Sequence, residues 1–389
     1  MNFFGIMNFK EKIFGHKDLV SIGSANLLGN GISAIFWFSL ASLINPEEYG
    51  QIHYFLAIAG MAQLLSLIST TNALQVYVAK NIKIHSTLFF ISIIAGIVSS
   101  LVVFLFFSRT DTSLLVLGYI IFELSNGFLL GKKLFSNYAK FFLTQKILTV
   151  IFGFGLYFTF GVDGIIFGLV LSYVPYIWIL VNEFRNTRID FSLLKPRKGF
   201  LINNYGINIS SAVGGQMDKL IIAPILGLEL LGNYSLAMQF LVILLLLPTT
   251  VFKYLLTQDS SGKNTKNLKK NTIFASVGLA TFGIVILPMI IPILFPNYID
   301  TVIAIQIISV AIIPGTIGIF YDSKLLSIEK SKFLVIGKGI GLFTMISGFV
   351  ILGPIYGIIG LAVTLVVSSC LQTLVVIIAS KTIRYEEKH

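Results

Sequence analysis

Cysteine occurs once in the 389 residues, at Cys370, so the chain can form no intramolecular disulfide and no cysteine-based metal centre. Charge is also sparse. Asp, Glu, Lys and Arg make up 12% of the chain, against about 25% in soluble domains. The four histidines stand apart from one another, and no metal site is expected. There is no phosphate-binding glycine loop and no nucleophile constellation. Long polar stretches are missing too. The longest connections, 183–201 and 255–271, leave no room for a separate soluble domain. That argues against ATP-driven pumps, receptors with large ectodomains, and polymerases or glycosyltransferases that do chemistry in extended loops. No cofactor is expected.

What remains is apolar. Hydrophobic residues make up 56% of the chain and the mean hydropathy is +0.89. Twelve apolar segments of roughly twenty residues can be counted, each long enough to cross about 30 Å of hydrocarbon as a helix. They span approximately 19–44, 52–78, 87–107, 112–131, 142–160, 163–182, 202–226, 232–254, 272–294, 301–321, 334–352 and 357–379. The basic residues fall at the two termini and in every second gap. All of the 28 except Arg109, Lys146, Lys219 and Lys338 lie there, Lys253 at the very edge of its gap. Positive loops stay cytoplasmic, so both termini are expected inside the cell membrane. The net charge of +11 is read as these topology determinants together with contact to anionic lipid, not as a nucleic-acid footprint. No cleavable leader is expected, because the first apolar segment is too long for one. Residues 3–14 alternate Phe3, Phe4, Ile6, Phe9 and Ile13 with Lys10 and Lys12, and read as an interfacial amphipathic helix.

The two halves resemble each other. At a shift of 192, Lys132 maps to Lys324, Lys140 to Lys332, Lys146 to Lys338 and Gly168 to Gly360. At a shift of 182, Asn45–Gly50 maps to Gly227–Gly232. Six helices per half is an even number, so the halves share one orientation and form a parallel repeat. The expected fold is an all-α polytopic membrane protein of about twelve transmembrane helices, in two parallel-repeat six-helix bundles around a central cavity. The expected parts are a cytoplasmic segment 1–18, bundles 19–182 and 202–380, a linker 183–201 and a tail 381–389. Such an architecture implies a secondary transporter or flippase working by alternating access, with its site near the midplane.

Charges inside hydrocarbon are costly and mark candidate sites. Glu123 lies mid-helix beside Ser125, Asn126 and Gly127. Asp218 and Lys219 lie inside the seventh segment and, as neighbours, are expected to point about 100° apart without facing each other. Lys146 and Lys338 sit about one turn inside the basic face. They read either as snorkelling side chains or as cations at the inner mouth of a cleft. His53 reads as an interfacial side chain. Proline within helices is concentrated in the second half, and Pro224 and Pro248 are candidate gating positions.

Two stretches carry a family resemblance: Ser42-Leu43-Ile44-Asn45-Pro46-Glu47-Glu48-Tyr49-Gly50, and Met217-Asp218-Lys219-Leu220-Ile221-Ile222 followed by Gly232-Asn233-Tyr234-Ser235-Leu236-Ala237. With these, residues 15–380 resemble Wzx-type polysaccharide flippases of the multidrug/oligosaccharidyl-lipid/polysaccharide exporter superfamily. The resemblance implies translocation of a lipid-linked oligosaccharide, with the sugar-phosphate head in a cationic cavity and the polyprenyl tail in lipid. Lys219, Lys146 and Lys338 would supply positive charge there. Asp218 or Glu123 would be the group through which an H+ or Na+ gradient couples. Implied partners are the lipid-linked oligosaccharide, membrane lipids and polysaccharide-assembly proteins, and the chain is expected to act as a monomer. The alternatives are a cation-coupled multidrug exporter of the same superfamily and a membrane-embedded polysaccharide-assembly enzyme. A major-facilitator sugar transporter would carry a basic, Gly/Asp-containing signature after its second helix, which Lys80-Asn81-Ile82-Lys83 is not.

Overall fold

A computed structural model describes residues 17–67, 71–260, 265–328, 330 and 332–386. The amphipathic stretch 3–14 lies outside them. Among the described residues every regular element is a helix. The helices are α1 Lys17–Leu43, α2 Pro46–Ser66, α3 Thr71–Ala79, α4 His85–Phe107, α5 Thr110–Gly131, α6 Phe135–Phe160, α7 Val162–Ser172 and α8 Val174–Asn186. They continue with α9 Lys198–Leu226, α10 Leu228–Leu244, α11 Leu246–Ser260, α12 Lys266–Thr281, α13 Leu287–Leu294, α14 Ile299–Ser309, α15 Ile312–Ser327 and α16 Lys332–Glu386.

Helices lie over all twelve of the apolar segments. Seven described segments are long and apolar enough to span a membrane unaided, and the bent pairs α10–α11 and α14–α15 make two more. The α16 run is 55 residues long, far more than one bilayer needs, and it turns back at Gly357, where φ is +56°. Gly360 then packs on the Leu352 carbonyl. The run is therefore a hairpin of two crossings. The α2–α3 pair and the more polar α9 lie over the other two apolar segments, 52–78 and 202–226. Large apolar side chains such as Phe106, Leu105 and Ile293 are exposed, as a lipid-facing surface requires.

The chain forms two compact units. One holds the described residues up to Trp37 together with those from Phe55 to Gln216, and the other holds Phe38–Tyr54 and the described residues from Met217 onward. In the second unit the Asn45–Gly50 motif has a residue-by-residue explanation. Asn45 caps α2 by accepting from the Glu48 N–H (2.9 Å), and the Glu48 carboxylate accepts from the Asn45 N–H (3.2 Å). This is a reciprocal capping box with proline at the first helical position. Tyr49 is buried against Tyr298, whose hydroxyl donates to the Ile44 and Asn45 carbonyls (both 3.2 Å). Gly50 sits on the Leu228 carbonyl, and Gly232 sits on the Pro46 carbonyl. A Cβ at either glycine would overlap backbone. Pro46 and Leu228 are also 182 residues apart, so the α2–α10 crossing is its own image under the repeat.

The last hairpin of each unit shows the repeat in a different register from the one expected. Gly161 (φ +69°) matches Gly357, and Gly164, packed on the Leu156 carbonyl, matches Gly360 on Leu352. The shift there is 196, not 192. Lys146 consequently corresponds to Leu342, and Lys338 lies one helical turn away from the position equivalent to it. Apolar helices align well at several offsets of one turn, so a four-residue slip leaves the pattern of matches nearly intact.

Candidate functional site

Asp218 with Lys219 in the second unit and Glu123 in the first each sit in a polar cluster. In the second unit, α9 and α10 meet through a core of Ile222, Leu231, Tyr234, Met345, Phe349 and Leu361. Asp218 is buried at the edge of that core. Its Oδ2 accepts from the Tyr234 hydroxyl (3.2 Å), and its Oδ1 accepts from the Lys219 backbone N–H (2.8 Å). Lys219 curls back so that Nζ lies 3.2 Å from Oδ1 and 3.4 Å from Oδ2 of the same carboxylate. The expectation that these neighbours do not face each other is therefore corrected. Their Cβ atoms diverge, but the four-carbon lysine stem is long enough to return. Exposure is unequal within the pair: 7% for the Asp218 side chain and 19% for that of Lys219. The acid is anchored and the cation is the reachable member.

His53 joins this cluster. It was expected at the interface, but α2 begins at Pro46, so His53 lies two turns inside the helix and is buried. Its ring packs on Tyr49 at 4.5 Å between centroids, and it feels the charge of Lys219. The sequence signal was present in the capping motif, which places the helix start earlier than the apolar run does.

In the first unit, Glu123 on α5 is half-buried and lies near enough to Tyr138, Tyr173 and Tyr176 for its charge to act on all three phenols. The Tyr138 hydroxyl donates to Asn26 Oδ1 (3.0 Å). Phe122, adjacent to Glu123, packs against Tyr173 and Tyr176 at 5.5 and 5.2 Å. Nearby, Gln145 Nε2 donates to Thr149 Oγ1 (2.9 Å) and Ser172 Oγ (3.0 Å). The acid thus lies in an aromatic and hydroxyl-rich nest drawn from four crossings.

The other two lysines have different surroundings. Lys146 lies over the Phe142 ring at 5.3 Å and against Gly29. Lys338 is exposed, and its charge reaches Asp322 on α15. Sequence reasoning passed over Asp322 because Asp322-Ser323-Lys324 reads as the start of a basic loop, whereas α15 continues to Ser327. Of the gating candidates, Pro224 falls in the last turn of α9, and Pro248 falls just after the 46° bend between α10 and α11.

Outside the spans, the basic side of the second unit is clamped by Asp259. It takes donors from Lys269 Nζ (2.9 Å), Ser323 Oγ (2.8 Å) and Thr265 Oγ1 (2.8 Å). Burial alone would raise the Asp259 pKa, but these donors together outweigh it and hold the carboxyl below its ordinary value. On the other side, in the first unit, Arg109 pairs with Asp111 (2.6 Å) and Asp163 (3.1 Å) and covers the Phe55 ring.

Comparison with known proteins adds the family context. A profile of the family described as polysaccharide biosynthesis protein matches residues 112–307. No curated protein sequence matches. Among solved structures, the chain is similar to the lipid II flippase MurJ in an inward closed conformation: TM-score 0.74, 13% identity, 93% of this chain and 87% of that one covered. It is similar to an inward-facing multidrug resistance MATE family transporter of the MOP superfamily: TM-score 0.69, 14% identity, 91% and 93% covered. A third likeness is to a MOP superfamily transporter from Pyrococcus furiosus, described as having a binding pocket of reversed polarity: TM-score 0.59, 14% identity, 96% and 95% covered. These structures share the fold, and the expected all-α multi-pass architecture is borne out.

Proposed function

From the premise that the chain belongs to the polysaccharide biosynthesis protein family, we propose that it flips a lipid-linked oligosaccharide from the cytoplasmic to the outer leaflet by alternating access. The observation that carries this reading is the Asp218–Lys219–Tyr234 cluster, which lies within the residues the family profile matches. A sugar diphosphate cannot cross hydrocarbon unaided, because stripping water from its charge is prohibitive. Lys219 is the accessible end of an anchored ion pair, so a phosphate oxygen can take over its Nζ while Tyr234 continues to hold Asp218. Lys146 and Lys338 would serve nearer the basic face, taken as cytoplasmic with both termini. Pro224 and Pro248 would be points of bending, and the chain would act as a monomer. Asp218 or Glu123 would carry the coupling H+ or Na+.

A second reading has one observation in its favour. Glu123 among Tyr138, Tyr173, Tyr176 and Phe122 is a setting that suits an organic cation. That favours a cation-coupled exporter of small molecules.

Leaflet-resolved labelling of lipid-linked oligosaccharides separates the two. Loss of the protein should leave the glycolipid on the cytoplasmic side, and re-expression should relieve the block. An unchanged distribution, with efflux of a cationic dye that depends on the protein, would establish the second reading instead.

A further inference from the structure

The linker between α8 and α9 builds a feature that the flipping reaction does not use. Its two short 3-10 turns, Phe191–Leu193 and Lys195–Arg197, are strapped onto the first turns of α4. The Asp190 N–H donates to Thr87 Oγ1 (2.8 Å), and the Thr87 hydroxyl lies 3.2 Å from the Asp190 carbonyl. Phe191 packs on Phe90 (6.1 Å between ring centroids). Between linker and helix the strap leaves a cavity of about 160 Å³, lined by Leu88, Ile91, Ser92, Leu194, Lys198 and Ile202. This is close to the roughly 150 Å³ at which an apolar protein cavity holds a small hydrocarbon.

Two observations say what fits. The walls are apolar except for Lys198 at the rim and Ser92 inside. Ser92 is fully buried, and its hydroxyl has no hydrogen-bond partner among the described residues. The one basic side chain of the lining, Lys198, is exposed at the rim. An apolar slot with one buried hydroxyl and a cationic mouth matches a chain, an ester and a phosphate in that order.

We propose that this cavity is a binding site for an anionic phospholipid. The upper part of one acyl chain lies between Leu88, Ile91, Leu194 and Ile202. Ser92 Oγ donates to the ester carbonyl, and Lys198 meets the headgroup phosphate. The occupant is a bilayer phospholipid, not the transported glycolipid, because the site is walled within one unit and has no polar surface for sugar.

Native mass spectrometry of the full chain in detergent tests this, with phosphatidylglycerol and phosphatidylcholine as probes. The wild type should retain phosphatidylglycerol preferentially. Lys198→Ala should lower that retention about fivefold, the weight of one basic side chain at an anionic surface. Ser92→Leu should abolish it by filling the slot. Ile202→Trp, at a position 66% exposed on the rim, blocks the mouth without touching the core and should do the same. Equal retention of both lipids, or loss with Lys198→Ala while both blocking variants bind normally, would overturn the site. Displacement of phosphatidylglycerol by equimolar polyprenyl phosphate would overturn the choice of occupant.

Discussion

In the proposed mechanism Lys219 and Asp218 play different parts even though they touch. Removing one member of a buried pair strands the other, so a single loss mixes folding with transport. Lys219→Arg should keep part of the transport. Lys219→Ala should lose it, and so should the neutral double variant Asp218→Asn with Lys219→Ala, although that variant strands no charge and should insert normally. Leaflet labelling alongside membrane abundance checks this, and full transport by the double variant would reduce the pair to a structural role. Tyr234→Phe removes a hydrogen bond to a charged group, at a cost of about 1.5–3 kcal/mol, and should lower the Tm in detergent. Asp259 gives a pH signature. Its carboxyl is held below the ordinary 3.8, so its contribution is full above that pH and fades as pH falls through the lowered value. The Tm gap between wild type and Asp259→Asn should therefore be constant near neutrality and close below about pH 4. At this scale the sequence disclosed which charges lie in the membrane, because charge among apolar residues is conspicuous. It did not disclose their partners. Tyr234, Tyr138, Asn26 and His53 are ordinary residues until the chain folds them against a carboxylate or a lysine.

Among the elements, the breaks within crossings follow a rule. Pro175, Pro248, Pro288 and Pro314 each sit in the first turn of a second half-helix: α8, α11, α13 and α15. At the 46° and 42° bends, Pro248 and Pro314 lack an N–H that the first turn of the second half-helix would leave unpartnered, whereas at Pro175 and Pro288 the crossing runs on as one span. A π turn at Phe282–Ile286 precedes Pro288, with Gly283 against Ser309. The apolar periodicity of each crossing was legible. The division into halves was not, since hydropathy is blind to a lost hydrogen bond. The crossing at Gly50 and Gly232 makes a prediction at this scale. Either glycine changed to Ala drives a methyl into backbone that cannot rotate aside, and should cost about 1–3 kcal/mol or more. Gly215→Ala, where a Cβ meets open space, is the control and should leave the Tm unchanged.

For the molecule as a whole, the alternation of basic and apolar segments anticipated the class and the number of crossings. Each crossing must satisfy its backbone internally, which leaves a membrane chain few alternatives to helix. The repeat was legible at its first hairpin, where a tight glycine contact pins the register. It was misread by one turn at the last, where lysine matches stood in for the glycines that set the packing. Residues 38–54 have a further consequence. They are covalently joined to the first six crossings, yet they pack with the second unit. A chain nicked between Leu194 and Lys195 would thus yield two fragments, the first carrying a peg that the second needs to complete its own core. The fragments should recover a single species when co-expressed, and the second alone should be degraded, with Tyr298 and the Leu228 carbonyl stripped of their counterparts.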